Sequence, residues 1–387
     1  MRLVYGLGRS GLGVLRFLRK RGLPARFYDD RPREEEVREA LALGFQPDWN
    51  LEEAYEEVVA APGVPLDHPH LKRLAARGAK VLGEAELAYR LSPTPIVGIT
   101  GTAGKTSTTL FTAHLLRAHG LRAREGGNVD PPLVSVVDEA EVAVAELSSF
   151  QLERVHAFRP RVAVLLNLGV DHLDRHGTVE AYHAAKLNLL KNLTPEDALV
   201  YNRLDPKVRR AAEASPARLY PFTPGSTPRE TNLRAALEAT RAYLDLLGRP
   251  LDPGAVAEAL RTLPEAPHRF QAFARKGGVV FIDDSIATRT EAVRAALEAA
   301  PRPHRLDPGR GGQRGRPRPP PPPPRPGPGG PGPRPGRPPL RPGPGGEDRG
   351  GGHRGEGRPH RHAQGGGGGP LPAGAGERPP RAPGGEL

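Results

Sequence analysis

No cysteine occurs anywhere in the 387 residues of this chain. Disulfides, thiolate metal sites and cysteine nucleophiles are thereby excluded, and the composition suits a reducing compartment. Apolar residues never run for the roughly 18 positions that a membrane helix needs. The opening Met1-Arg2-Leu3-Val4-Tyr5-Gly6 reads as a strand and turn rather than a secretion signal. A soluble, cytoplasmic protein with no membrane partner is expected. The sparsest region is the C-terminal one. No aromatic residue follows Phe281, and residues 301–387 also lack Ile, Val, Met, Ser, Thr, Asn and Lys. Leu306, Leu340, Leu371 and Leu387 are the only large apolar side chains there. Such a segment cannot bury enough surface to offset an ordering cost of about 1–2 kcal/mol per residue. Disorder is expected, with polyproline conformation near Pro319–Pro324.

Charge follows the same division. Sixteen arginines against six acidic residues give residues 301–387 a net +10, out of +12 for the whole chain. The first 300 residues are therefore close to neutral, as an ordinary globular protein is. An Arg/Gly segment can bind nucleic-acid backbones in a salt-dependent way. Without aromatic side chains for base stacking, no nucleic-acid partner is expected. The residue set of 301–387 is also what out-of-phase GC-rich codons would yield, so a frameshift is the alternative to a natural low-complexity tail.

What is present centres on Gly98-Ile99-Thr100-Gly101-Thr102-Ala103-Gly104-Lys105-Thr106-Ser107-Thr108. The apolar pair Ile96-Val97 precedes it and an amphipathic run, Leu110 to Leu116, follows. Strand, glycine turn and helix form the arrangement in which backbone N–H groups and a helix N-terminus cradle phosphates. Lys105 would reach the β/γ-phosphates and Thr106 would offer its hydroxyl to Mg²⁺. The strict spacing G-x-x-x-x-G-K-[ST] asks for glycine at position 99, where this chain has Ile99.

Residues 1–92 alternate strands and helices. Leu3-Val4-Tyr5 leads into Gly6-Leu7-Gly8-Arg9-Ser10-Gly11-Leu12-Gly13, and a second strand, Ala25 to Tyr28, ends at Asp29-Asp30-Arg31. A G-x-G-x-x-G turn with an acid about twenty residues on is the layout of a Rossmann-like nucleotide site. By itself it reads equally as an NAD-binding module, and Asp29 and Asp30 equally as turn residues at a strand end. Strands follow at Val58–Ala60 and Lys80–Leu82, and Ser92-Pro93-Thr94-Pro95 reads as a linker.

Residues 93–265 read as a second α/β unit. Glu125-Gly126-Gly127-Asn128 is expected to be a loop able to approach a ligand closely. The strand Val142–Ala145 ends in Glu146, and the strand Val162–Leu166 ends in Asn167 and then Asp171-His172-Leu173-Asp174-Arg175-His176. Ligands of open α/β sheets gather at the carboxyl ends of strands. The phosphate loop, Glu146 and the 171–176 cluster all fall there. Together Glu146, Asp171 and His172 suit a magnesium shell completed by phosphate oxygens and water. Each alone reads as an ordinary strand-end or loop residue, and Lys186 as a surface cation. From Pro264 the pattern resets: His268-Arg269 precedes a strand over 278–285 and a helix over 290–300, the first βα unit of a third domain covering 266–300. His268-Arg269 could neutralise phosphate or cap a loop.

Five stretches together resemble the Mur ligases of peptidoglycan synthesis, the D-glutamate-adding members in particular: GLGRSGLG at 6–13, TGTAGKTSTT at 100–109, ELSSFQLE at 146–153, DHLDRH at 171–176, and PHRFQ with DDSIAT at 267–271 and 283–288. That family uses T-G-T-x-G-K-[ST], which accommodates Ile99. The resemblance implies an α/β fold of three domains: a Rossmann-like UDP-binding domain, a central P-loop ATPase domain, and a Rossmann-like third domain, here truncated before the tail. It implies ATP-dependent ligation of D-glutamate to UDP-N-acetylmuramoyl-L-alanine through an acyl phosphate, by a monomer. Carried over, Gly8, Arg9, Ser10, Asp29, Arg31, Asn128 and His172 would hold the UDP-linked substrate. Gly101, Thr102, Ala103, Gly104, Lys105, Thr106, Ser107, Asn232, Arg269 and Asp284 would bind ATP. Thr106 and Glu146 would take one Mg²⁺, with His172 and a carbamylated Lys186 taking a second, and Lys105, Glu146, His172 and Lys186 are the implied catalytic group. The chain departs from the family at Thr231-Asn232-Leu233-Arg234-Ala235, at Ile286 and Arg289, at Ala103, and beyond about Arg305, where the third domain does not continue. A nucleotide- and UDP-sugar-binding remnant without turnover is therefore the alternative.

Overall fold

The computed structural model describes residues 1–265 and 271–285, and beyond them only residues 293, 296, 297, 300 and 305 singly. The helix expected over 290–300 and the low-complexity stretch from 301 thus lie, apart from those single residues, outside the described residues.

The first sheet is built from short apolar strands that alternate with helices. In chain order these are β1 (Arg2–Tyr5), α1 (Arg9–Lys20), β2 (Ala25–Tyr28), α2 (Glu34–Ala42), β3 (Gln46–Pro47), β4 (Glu57–Ala60), α3 (Pro69–Ala76), β5 (Lys80–Leu82) and α4 (Glu84–Leu91). The strand order is β3-β2-β1-β4-β5, and every pairing is parallel. The chain leaves β1 toward one side of the sheet and returns for β4 on the other. The ends of β1 and β4 therefore flank a topological switch point, where open α/β sheets bind ligands. Register places Tyr5 opposite both Tyr28 and Ala60, so the turns after these three strands lie side by side.

A second sheet follows through β6 (Ile96–Thr100), α5 (Lys105–Ala118), β7 (Ala123–Gly127), α6 (Leu133–Val136), β8 (Val142–Glu146), α7 (Ser149–Leu152) and β9 (Val162–Leu165). It continues with α8 (Leu173–His176), α9 (Val179–Leu187), β10 (Ala198–Asn202), α10 (Pro206–Glu213), β11 (Arg218–Phe222), α11 (Pro228–Leu246) and α12 (Pro253–Arg261). Its order is β11-β10-β9-β6-β8-β7, again all parallel. Helix starts are signposted in the sequence. Asp205-Pro206, Thr227-Pro228 and Asp252-Pro253 each put a side-chain acceptor at the N-cap and proline at the first helical position.

Side-chain alternation sorts the sheet faces. Val142 and Val144 of β8 and Val162 and Val164 of β9 face a core shared with α11, while Ala143, Ala145, Ala163 and Leu165 face the opposite core. That opposite core is continuous with Leu12, Val14, Leu15 and Leu18 of α1, Ala85 and Ala88 of α4, and Val4 of β1. A helical layer is thus shared between the two sheets, and the same apolar burial that folds each sheet fixes their strand ends relative to one another. Among the described residues no helix is long and apolar enough to cross a membrane.

Three local readings differ from the sequence expectation. The stretch 125–128, expected as a loop, is mostly strand: β7 runs to Gly127 and pairs it with Glu146. Strand β11 went unseen because Pro221 and exposed side chains break the pattern of a buried strand. Finally, the strand expected over 278–285 is present as the later strand of a pair, but it forms an antiparallel hairpin with a strand the sequence does not announce, β12 (Gln271–Lys276) with β13 (Val279–Asp283). Its two-residue turn is Gly277-Gly278, both at positive φ, the chemistry such a turn requires.

Candidate active site

The phosphate loop joins β6 to α5 at the carboxyl end of the second sheet. The end of β9 braces it. Asn167 accepts from the Ala103 N–H at 2.9 Å and donates back to the Ala103 carbonyl at 3.1 Å. Thr102 N–H donates to the Asn167 carbonyl at 3.2 Å. From the other side the Asn232 side chain on α11 presses so closely that a Cβ added at Gly104 would collide with its Oδ1. Lys105 lies back along the loop, donating to the Gly101 carbonyl at 3.1 Å. Ser107 is buried in the first turn of α5.

Glu146, at the end of β8, is buried, and both its oxygens are bound by side chains. Thr106 Oγ1 donates to Oε2 at 2.8 Å, and Asn128 Nδ2 donates to Oε1 at 2.8 Å. The close approach depends on Gly127. Its φ is +102°, and a Cβ there would collide with the Glu146 backbone oxygen. Asn128 in turn reaches the first sheet, since Arg9 Nη2 donates to its carbonyl at 2.9 Å. Thr106, Glu146, Asn128 and Arg9 thus form one run of hydrogen bonds from the phosphate loop to the glycine turn at the start of α1.

His172, Lys186 and the loop meet around Tyr182, which the sequence reading had only as a helix residue. The Tyr182 hydroxyl donates to Thr102 Oγ1 at 3.1 Å, the Lys186 ammonium lies 4.7 Å from its ring centre, and the His172 ring centre is 6.3 Å away. Lys186 is buried and donates to the Gly101 carbonyl at 2.9 Å, so it is not the surface cation its spacing allowed. His172 sits at φ +50°, an uncommon conformation for a residue other than glycine that sites of function collect, and its Nε2 lies 3.0 Å from Asp171. The Phe150 ring lies tilted against it, ring centres 4.9 Å apart. His176, beside them, is held below the usual imidazole range by burial and by the charges of Arg175, His172 and Lys186, against the pull of Glu153.

At the first sheet, Gly8 caps α1 and Arg9 and Ser10 open it. Asp29 binds backbone with both oxygens, accepting from Leu7 N–H and Arg31 N–H at 2.7 Å each. It shapes the glycine turn directly. Asp30, unassigned by the sequence, accepts from Tyr5 at 2.9 Å and lies near His68 and His70. Burial and the Asp30 carboxylate push the Tyr5 hydroxyl far above its ordinary range. Asp284 follows directly after β13 of the hairpin rather than belonging to either parallel sheet, and Arg269 lies outside the described residues.

Among the described residues no three His, Asp or Glu side chains gather tightly enough to hold a metal ion on their own. The Glu146 carboxylate and the Thr106 hydroxyl are donors of the kind a magnesium ion takes together with phosphate oxygens and water.

Two parallel sheets, one carrying a braced phosphate loop and joined to the other through Asn128 and Arg9, define the class. Residues 99–242 match the Mur ligase middle domain, and residues 1–83 match the Mur ligase MurD-like N-terminal domain. The chain belongs to the Mur ligase family. It is 53% identical over 312 residues to the UDP-N-acetylmuramoylalanine–D-glutamate ligase of Deinococcus radiodurans, covering 77% of this chain and 68% of that protein. Its likeness to the ligase of the same name from Acidobacterium capsulatum is 35% identity over 341 residues, covering 77% and 74%. Among solved structures, a murein peptide ligase from Psychrobacter arcticus shares the fold at a TM-score of 0.51 and 14% identity, over 77% of this chain and 75% of that one.

Proposed function

We propose that the chain is an ATP-dependent ligase that joins D-glutamate to UDP-N-acetylmuramoyl-L-alanine in the synthesis of peptidoglycan precursor. The observation that carries this reading is the run Thr106–Glu146–Asn128–Arg9, which joins a phosphate loop to a Rossmann-like glycine turn. In the reaction ATP's γ-phosphoryl group passes to the L-alanyl carboxylate. The D-glutamate amine then displaces phosphate from the activated carbonyl carbon, and the amide, ADP and phosphate remain.

Gly101 to Ser107 and the N-terminus of α5 orient the ATP phosphates through backbone N–H groups. Lys105 neutralises charge on the transferring group, and Asn232 lines the nucleotide side of the loop. Thr106 and Glu146 fit one Mg²⁺, because a buried carboxylate bound only by side chains can exchange them for a cation. His172 and Lys186 would hold a second ion, with Lys186 carbamylated, since the carbamate would turn a buried cation into an anion that metals favour. Bound Mg²⁺ supplies charge neutralisation at the phosphoryl group. Gly8, Arg9, Ser10, Asp29 and Arg31 hold the UDP moiety, while Asn128 and His172 orient the muramoyl-alanine end toward the loop. Arg269 and Asp284 complete the ATP site from the third domain. In this reading residues 1–92 bind the sugar nucleotide, 93–265 bind ATP and 266–300 begin the amino-acid domain, in a cytoplasmic monomer.

Phosphate release from ATP tests the proposal. It is expected to require both UDP-N-acetylmuramoyl-L-alanine and D-glutamate. Tight binding of the sugar nucleotide without D-glutamate-dependent release would replace the ligase with a non-catalytic nucleotide binder.

A further inference from the structure

The turn after β4, Ala61-Pro62-Gly63-Val64, lies against the glycine turn of β1. A Cβ added at Gly6 would stand 2.8 Å from the Ala61 Cβ and 3.7 Å from Val64. Whatever occupies the first-sheet site is therefore bounded by residues 61–64. The carbonyls of this turn are gripped from the second sheet. Arg154 donates to the Ala61 carbonyl at 3.4 Å and also to the Val64 carbonyl. Arg175 donates to the Val64 carbonyl at 3.0 Å and to Gly63 at 3.5 Å. Arg175 also pairs with the Glu153 carboxylate at 2.8 Å, which lies 3.3 Å from His176.

Arg154 is the unusual member. It is 2% exposed, its Nε is buried without a hydrogen-bond partner, and its contacts are to carbonyls rather than to an acid. Burial, and then the Arg175 charge, push its guanidinium down to about 10. A buried cation in such surroundings is an expensive way to hold a chain together, and an apolar residue of similar size often stabilises more. What a guanidinium adds is direction: a planar fork that fixes two carbonyls at once. Arg175 makes the counterpart grip from α8, the turn that His172 caps. The turn bearing His172 and the turn bounding the first-sheet site are thereby clamped into one register.

We propose that Arg154 and Arg175 are positioning residues for the sugar-nucleotide substrate, holding the 61–64 turn in register with His172. The inference rests on the ligase reading, through its assignment of the first-sheet site to UDP-N-acetylmuramoyl-L-alanine. The test is calorimetric binding of that compound and, separately, of Mg²⁺ with a non-hydrolysable ATP analogue to the full chain. Melting temperatures of the wild type, Arg154→Met and Arg175→Met are recorded in parallel. Each variant is expected to bind the sugar nucleotide about tenfold more weakly, the loss of one or two hydrogen bonds at a bounding loop. The ATP analogue is expected to bind within twofold of wild type. Arg154→Met is further expected to melt no lower than wild type, so that weaker binding accompanies undiminished stability. Arg175→Lys, which keeps the charge but not the fork, should fall between. Unchanged sugar-nucleotide affinity in both Met variants overturns the proposal, as does an equal loss for both ligands or a loss that tracks the melting temperature. A wild-type chain that fails to bind the sugar nucleotide refutes instead the ligase reading beneath it.

Discussion

The glycine turns of the two sheets share strand, turn and helix, but their carboxylates are used in opposite ways. Asp29 of the first sheet gives both oxygens to backbone N–H groups, Leu7 and Arg31, so its charge is fixed into the shape of the turn. Glu146 of the second sheet is more deeply buried, yet its partners are the Thr106 hydroxyl and the Asn128 amide. Backbone donors cannot leave without unfolding the loop, whereas side-chain donors can rotate away. One topology thus yields a carboxylate locked into the shape of a turn and another whose side-chain partners can be exchanged.

The strongest challenge to this contrast is Glu146→Gln. Removing the charge while keeping the shape is expected to lower ATP-dependent phosphate release by about 10²–10³-fold, with the melting temperature held, and a retained rate would end the distinction. Next come two paired changes. Asn167→Ala removes both bonds to Ala103 and should raise the KM for ATP about tenfold while sparing sugar-nucleotide affinity. Asp29→Asn should do the reverse, weakening the sugar nucleotide several-fold and leaving ATP unaffected. Either variant weakening both ligands alike would show that the turns are not separate sites.

Two carboxylates on α4, the helix between the sheets, sharpen the same contrast through pH. Glu86 is buried, which pushes its carboxyl up. The N–H groups of Ala157 and His156 and the Arg90 guanidinium more than offset this and hold it below the ordinary 4.5. Its contribution is present above pH 4.5 and lost as pH falls through its folded value. Glu86→Gln is expected to cost about 2 kcal/mol at neutral pH in denaturant titrations, with the cost shrinking in acid. Glu84 has the opposite sign. Burial pushes it up to about 7, against N–H bonds from Val134 and Leu133 and the charge of Arg9. Its contribution is full below pH 4.5 and is lost as pH rises through about 7. Glu84→Gln should therefore raise the melting temperature at pH 8 by a few degrees and leave it nearly unchanged at pH 5, the smallest effect of the series.

Much of this architecture is legible in the sequence. Val142–Ala145 and Val162–Leu165 are apolar throughout because both faces of a central parallel strand are covered, and such runs announce themselves. The phosphate loop announces itself through its glycines and Lys105. What stayed hidden arises from contacts between strand ends. Asn167 was seen only as the residue that ends β9, and its brace on Ala103 exists because β9 neighbours β6. Tyr182 gathers Thr102, His172 and Lys186 from three segments, and its sole sequence hint is a position four residues before Lys186, on the same helical face. Strand β7 was misread for an instructive reason: Gly126 and Gly127 look like loop residues, but Gly127 serves the approach to Glu146.

Gly127 also bears on how such a protein could fail unnoticed. A survey of damaging changes by chemical class would pass over Gly127→Ala as a gain of one methyl group that alters no charge. That methyl would strike the Glu146 carbonyl on the neighbouring strand and force β7 and β8 apart where the acid must stand. The position of the Glu146 strand end is set by a residue with no side chain. A population carrying the alanine would keep every recognisable motif intact while losing the geometry they serve.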